Sequence, residues 1–129
     1  MRQDYEDKVM KHYTRVAQES GLSASCTMED EYIREGESRA ILRLIELAAK
    51  SAAASLRVLD VGCGNGYTLR TLAERIRDGG LSGSIELLGI EKNHELRQLA
   101  SKMNEGLPVT IAEGDILRAE TLGVSQASV

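Results

Sequence analysis

The chain has 129 residues, 42% hydrophobic and 28% charged, which is enough apolar content for the core of one domain. Its 16 basic and 20 acidic residues leave a net charge of −4, which excludes a broad polyanion-binding surface while leaving a local basic face open. Aromatic content is 3%, four tyrosines with no Phe or Trp, so the core is expected to be aliphatic and any base-stacking surface poor.

The charged N-terminus lacks the apolar centre of a signal peptide, and no apolar run approaches the ~20 residues of a membrane span. Cys26 and Cys63 have neither metal-ligand spacing nor a disulfide framework, so reduced thiols in a soluble, cytoplasmic chain are expected. Residues 4–19 are predicted to form a docking helix with Tyr5, Val9, Tyr13 and Val16 on one side. A Ser, Ala and Gly loop over 21–26 leads to Thr27, a helix cap, and to Glu29, Asp30 and Glu31 in a first turn. That second helix is predicted to run to about Lys50. Ile33, Ala40, Ile41, Leu44, Ile45 and Ala48 make its expected buried side, with Arg34, Glu35, Glu37 and Arg39 mostly in solvent.

After a small-residue link, Arg57 to Val61 reads as a buried strand. Gly62, Gly64 and Gly66 follow, removing every second Cβ so that the chain can turn sharply and a ligand can approach the backbone. Leu69, Leu72, Ala73 and Ile76 recur at helical spacing up to Gly79 and Gly80, so a helix N-terminus, whose N–H groups suit a negatively charged ligand group, faces the glycines. Residues 85–90 form a second predicted strand ending at Glu91, and Asn93 caps a helix striped by Leu96, Leu99, Ala100 and Met103. Gly106 and Pro108 end it, and residues 108–112 form a short third strand before Glu113, Gly114 and Asp115. This alternation predicts an α/β fold with parallel strands and helices on both faces.

Dinucleotide-binding turns read G-x-G-x-x-G, but counted from Gly62 the last position is Tyr67, with glycine one residue earlier. The pattern is instead D-x-G-x-G-x-G, from Asp60 to Gly66. With a strand before it and a helix after it, this stretch resembles the class I methyltransferases that use S-adenosylmethionine, over residues 57 to about 117. The resemblance implies a Rossmann-like parallel sheet. It implies that Asp60 and the backbone of Gly62, Cys63, Gly64 and Gly66 hold the methionine part of the cofactor, that Glu91 holds the ribose and that Asp115 meets the adenine. A carboxylate suits both ribose hydroxyls, and Ile116 offers the ring an apolar face. The plainer alternatives are a helix-start acid for Glu91 and a turn residue for Asp115. Lys92 and Asn65 read as incidental, and His12 and His94 as isolated helix-face residues.

The family fold has seven strands, whereas only residues 118–129 follow Leu117. The resemblance therefore implies the cofactor-binding N-terminal part of that fold, with a partial core over residues 56–129, truncated after the third strand, and a helical extension over residues 1–55. The family's Asn-Pro-Pro-Tyr-like catalytic motif is missing, no catalytic residue is identified and the chain alone is expected to be inactive. The first strand is expected to be an apolar edge, completed by a second chain, a homodimer or a longer chain. A small-molecule acceptor is favoured, with protein and nucleic acid open. The alternatives are a non-catalytic partner subunit and half of an NAD-linked oxidoreductase. The extension is expected to act as a lid hinged over residues 21–26, with Arg34 meeting the cofactor's carboxylate.

Overall fold

The computed structural model describes residues 2–21, 31–51, 55–79, 85–115 and 117. In chain order the elements are α1 (Arg2–Ser20), α2 (Glu31–Ser51), β1 (Leu56–Val61), α3 (Tyr67–Asp78), β2 (Ile85–Glu91), α4 (His94–Met103) and β3 (Val109–Glu113). The expected loop cap at Thr27, the hinge over 21–26 beyond Gly21, and Ile116 lie outside the described residues.

The three strands pair in parallel in the order β1-β2-β3, with Leu56 opposite Ile85 and Leu87 opposite Val109. Helices on both faces require the strand order to reverse, because each right-handed crossover sets its helix on a side fixed by the direction of travel. These strands advance in one direction only, and α2, α3 and α4 share one core with one face of the sheet, while α1 packs on α4. Ile45 of α2, Leu69, Leu72, Ala73 and Ile76 of α3, and Ala100 of α4 pack with Ile85, Leu87, Val58 and Val109. On the other face Arg57 and Glu86 form an ion pair across the strands at 3.0 Å.

The α3 stripe is buried as its spacing predicts. Close packing over β2 depends on Gly89, where an added Cβ would come within 2.5 Å of Leu69 and 2.9 Å of Cys63 and Ile111. The faces expected of the two N-terminal helices are met only in part, with Val16, Ile41 and Ile45 turned inward as expected. In α2 the inward face is Arg34, Ser38, Ile45 and the half-buried Ile41, Leu42 and Ala49, whereas Ile33 is 56% exposed and Leu44 66%. In α1 the tyrosines Tyr5 and Tyr13 face solvent, and Val16 and Ala17 pack on Leu96 and Leu99 of α4. Exposed pairs Arg2–Glu6, Asp4–Lys8 and Arg15–Glu19 run along α1 at i,i+4 spacing.

Candidate functional site

Gly62, Gly64 and Gly66 take φ values of 74°, 58° and 77°, a left-handed backbone that side chains disfavour. The turn's donors are taken up within the protein, largely by the end of β2. Gly62 and Cys63 donate to the Ile90 carbonyl at 2.7 and 3.1 Å, Gly66 donates to Cys63, and Tyr67 donates to Asn65 Oδ1 at 3.1 Å. These N–H groups are therefore spent inside the protein, and the expected anion site at the start of α3 is not built from them. Space is what the turn leaves: a Cβ added at Gly62 would meet nothing within 4 Å.

Glu91, buried at the end of β2, joins two loops. One carboxylate oxygen accepts the Gly64 N–H at 3.0 Å and the other accepts the Asn93 N–H at 2.8 Å. Each oxygen keeps further acceptor capacity. Asp60 stands near enough to Glu91 for the two charges to oppose one another. Burial pushes the Asp60 carboxyl above its ordinary value, the Arg34 guanidinium pulls it back, and Glu91 raises it further. Arg34, read as mostly solvated, is buried instead, with its guanidinium 5.2 Å from the centre of the Tyr67 ring. The buried Cys63 thiol is pushed up to about 12 by burial and by the Asp60 and Glu91 charges, so it is no nucleophile at neutral pH.

Asp115 sits apart from this group, half-buried, in an ion pair with Lys92 at 3.2 Å while Oδ1 accepts the Leu117 N–H at 3.0 Å. A cavity of about 650 Å³ opens between α1 and the end of β3, lined on one side by Gln3, Glu6 and Met10 and on the other by Lys92 and Asp115. That volume lies within the range of small-molecule pockets. The structure thus gathers Asp60, Glu91 and Arg34 around the glycine turn, and places Asp115 beside the neighbouring cavity.

Across these groups runs α1. Asn65 Nδ2 donates to the Gly21 carbonyl at 3.0 Å, beside the glycine turn. Asn93 Nδ2 donates to Thr14 Oγ1 at 3.0 Å and contacts the Met10 carbonyl and sulfur, beside Glu91. Gln3 and Glu6 reach the Asp115 end. The sequence offered Asn93 as a cap and passed over Asn65, Lys92, Tyr67 and Thr14. Applying cap logic to an asparagine one residue before Gly66 would have found the first of them. Among the described residues no cluster of His, Cys, Asp and Glu could hold a metal ion, and no helix is long and apolar enough to cross a membrane.

No protein-family model and no curated protein matches the sequence. Solved structures do match. Two are of the plantazolicin methyltransferase BpumL with SAH and a pentazolic or triazolic desmethylPZN analog. They show TM-scores of 0.56 and 0.55 at 18% and 19% identity, over 95% of this chain in both cases. The chain carries part of a Rossmann-like methyltransferase fold. It spans less than half of those methyltransferases, 46% and 45% of their lengths. A SAM-dependent methyltransferase of Leishmania major matches more weakly, at a TM-score of 0.49 and 16% identity, over 79% of this chain and 38% of that one. In this methyltransferase fold the glycine turn follows β1, at the carboxyl edge where open parallel sheets bind ligands.

Proposed function

We propose that this chain is the S-adenosylmethionine-binding part of a methyltransferase. The observation that carries the reading is the open space over Gly62, two residues after Asp60, whose carboxyl interacts with Glu91 and Arg34. These residues fit the cofactor's chemistry. Two carboxylates suit its ammonium, its sulfonium and its ribose hydroxyls, and one buried guanidinium suits its carboxylate. In this reading Arg34 takes the carboxylate, Asp60 and the backbone of Gly62, Cys63, Gly64 and Gly66 frame the methionine part, and Glu91 uses its remaining acceptor sites for the ribose. Asp115 exchanges Lys92 for the adenine amine, with Ile116 against the ring. When bound, the cofactor supplies a methyl group activated by positive sulfur. The protein's contribution is to hold it in line with an acceptor and to exclude water.

The acceptor is proposed to be a small molecule, in keeping with the net charge of −4 and the lack of Phe and Trp. Residues 1–55 are proposed as the covering extension and 56–129 as the cofactor core. Exposed Ile33, Leu44, Leu47 and Val61 support a further requirement, that β1 and the outer face of α2 be covered by more protein before methyl transfer occurs. A second chain, a second copy or a longer chain would serve, and a non-catalytic subunit of this fold would present the same surface. Methyl transfer by a candidate partner, measured with and without this chain, separates an accessory role from a catalytic one. A free, buried Cys63 fits a reducing cytoplasm.

Calorimetric titration tests the central claim. SAH and S-adenosylmethionine should bind to the folded chain, and NAD should not. A chain shown to be folded that binds neither adenosyl compound at millimolar concentration overturns the reading.

A further inference from the structure

Two asparagines occupy matching places, Asn65 one residue before Gly66 and α3, and Asn93 immediately before α4. Each spends its oxygen on a helix start: Asn65 Oδ1 accepts the Tyr67 N–H at 3.1 Å, and Asn93 Oδ1 accepts the Leu96 N–H at 3.0 Å. A cap needs only an acceptor, and Asp or Ser supplies one equally well. What asparagine adds is a donor, and the cap holds that donor turned away from the helix. In both cases it meets α1 or the residue that ends it, at the carbonyl of Gly21, just past α1, for Asn65 and at Thr14 and Met10 of α1 for Asn93. Both side chains are almost wholly buried, Asn65 at 0% and Asn93 at 2% exposure, where an amide hydrogen without an acceptor is unfavourable.

We propose that Asn65 and Asn93 are positioning residues that latch α1 across the glycine turn and the β2–α4 turn, so that docking of α1 and binding of the adenosyl ligand stabilise one another. The ligand half of this statement rests on the methyltransferase reading. Two attachment points, at Met10 and Gly21, lie roughly 16 Å apart along a helix and fix the direction of α1 as well as its presence. Among the described residues its buried apolar cluster with the body is Val16 and Ala17 on Leu96 and Leu99, so the amide hydrogen bonds, with the one from Thr14 to Glu95, form a large part of the docking. Glu91 connects the two latches, because its carboxylate holds the Gly64 N–H next to Asn65 and the N–H of Asn93 itself. A ligand that steadies Glu91 and the glycine turn steadies both anchors, and by linkage a docked α1 improves the ligand site by the same factor.

The test uses Asn65→Asp and Asn93→Asp, which keep each cap acceptor and remove the donor. Thr14→Val removes one anchor from the α1 side and leaves the sheet untouched. Amide exchange of the ligand-free chain is read first. Residues 2–21 should exchange about tenfold faster in each variant, the effect of losing one or two hydrogen bonds, while β2 and α3 remain protected. Unchanged exchange in α1 of folded variants overturns the latch. SAH titration is read second: wild type should gain protection in α1 on binding, and the variants should bind about three- to tenfold more weakly. Faster α1 exchange with unchanged SAH affinity overturns the coupling. A folded wild type that ignores SAH defeats the methyltransferase reading and the coupling, while the ligand-free exchange still decides the latch by itself.

Discussion

Glu91 holds the Gly64 amide at 3.0 Å across 27 positions of sequence, and this bond closes the glycine turn against the second strand. Because the other carboxylate oxygen holds Asn93, Glu91→Gln must present an NH₂ group to one backbone N–H. Stability should fall by about 1–3 kcal/mol, the effect of spoiling a charged, buried hydrogen bond. Urea denaturation checks it. An unchanged midpoint would mean that Glu91 is free in solution to serve the ligand alone.

Two glycines separate folding from binding. At Gly62 an added Cβ meets no atom but the φ of 74° disfavours it, so Gly62→Ala should lose roughly 1–2 kcal/mol of stability. Its larger effect should be on SAH, whose affinity falls at temperatures where the variant is folded. At Gly89 the Cβ strikes Leu69, Cys63 and Ile111, so Gly89→Ala should lose about 1–3 kcal/mol through overpacking. Thermal melts and titrations on both variants give the pattern, and equal SAH affinity in Gly62→Ala and wild type would move the ligand off the turn.

The strand and helix alternation was legible because α3, β2 and α4 each bury a clear apolar set, and the motif from Asp60 to Gly66 sits between β1 and α3, where a turn must be. The faces of α1 and α2 were legible only in part. In α2 Ile41 and Ile45 turn inward as expected, but hydrophobicity also favoured Ile33, Ala40 and Leu44 over the observed Arg34 and Ser38. Arg34 goes inside because Asp60 offsets its charge and Tyr67 offers it a ring face, and neither partner is near it in sequence. The cavity beneath α1 was illegible for a similar reason, since its walls come from the two ends of the chain.

Asp60 gives stability a pH dependence of definite sign. Its folded pKa is raised above 3.8, so the folded state binds the proton more tightly than the unfolded chain does. The stabilising contribution is present at low pH and is lost as pH rises from about 3.8 through the raised value. Asp60→Asn removes that dependence. Because burial outweighs the Arg34 attraction, the variant should melt above wild type near neutral pH, and the gap should close on acidification. A wild type that melts higher at neutral pH would make Arg34 the dominant influence.

Cys63 should resist alkylation in the native state. With Cys26 replaced by Ser, iodoacetamide at mildly alkaline pH should leave the folded chain unmodified and label it once urea unfolds it. Rapid native labelling would show that the turn opens readily. The same raised pKa predicts stability that holds below about pH 9, the ordinary thiol value, and declines as pH climbs toward 12.

Each strand of the sheet pairs with the next in sequence, β1 with β2 and β2 with β3, and a single helix lies between partners. A chain emerging from the ribosome would therefore find every pairing surface already made by what precedes it. Loop closure stays short at each step, which favours rapid assembly from the N-terminal side. Among the described residues such stepwise growth leaves β1, the first strand made, paired on one side only.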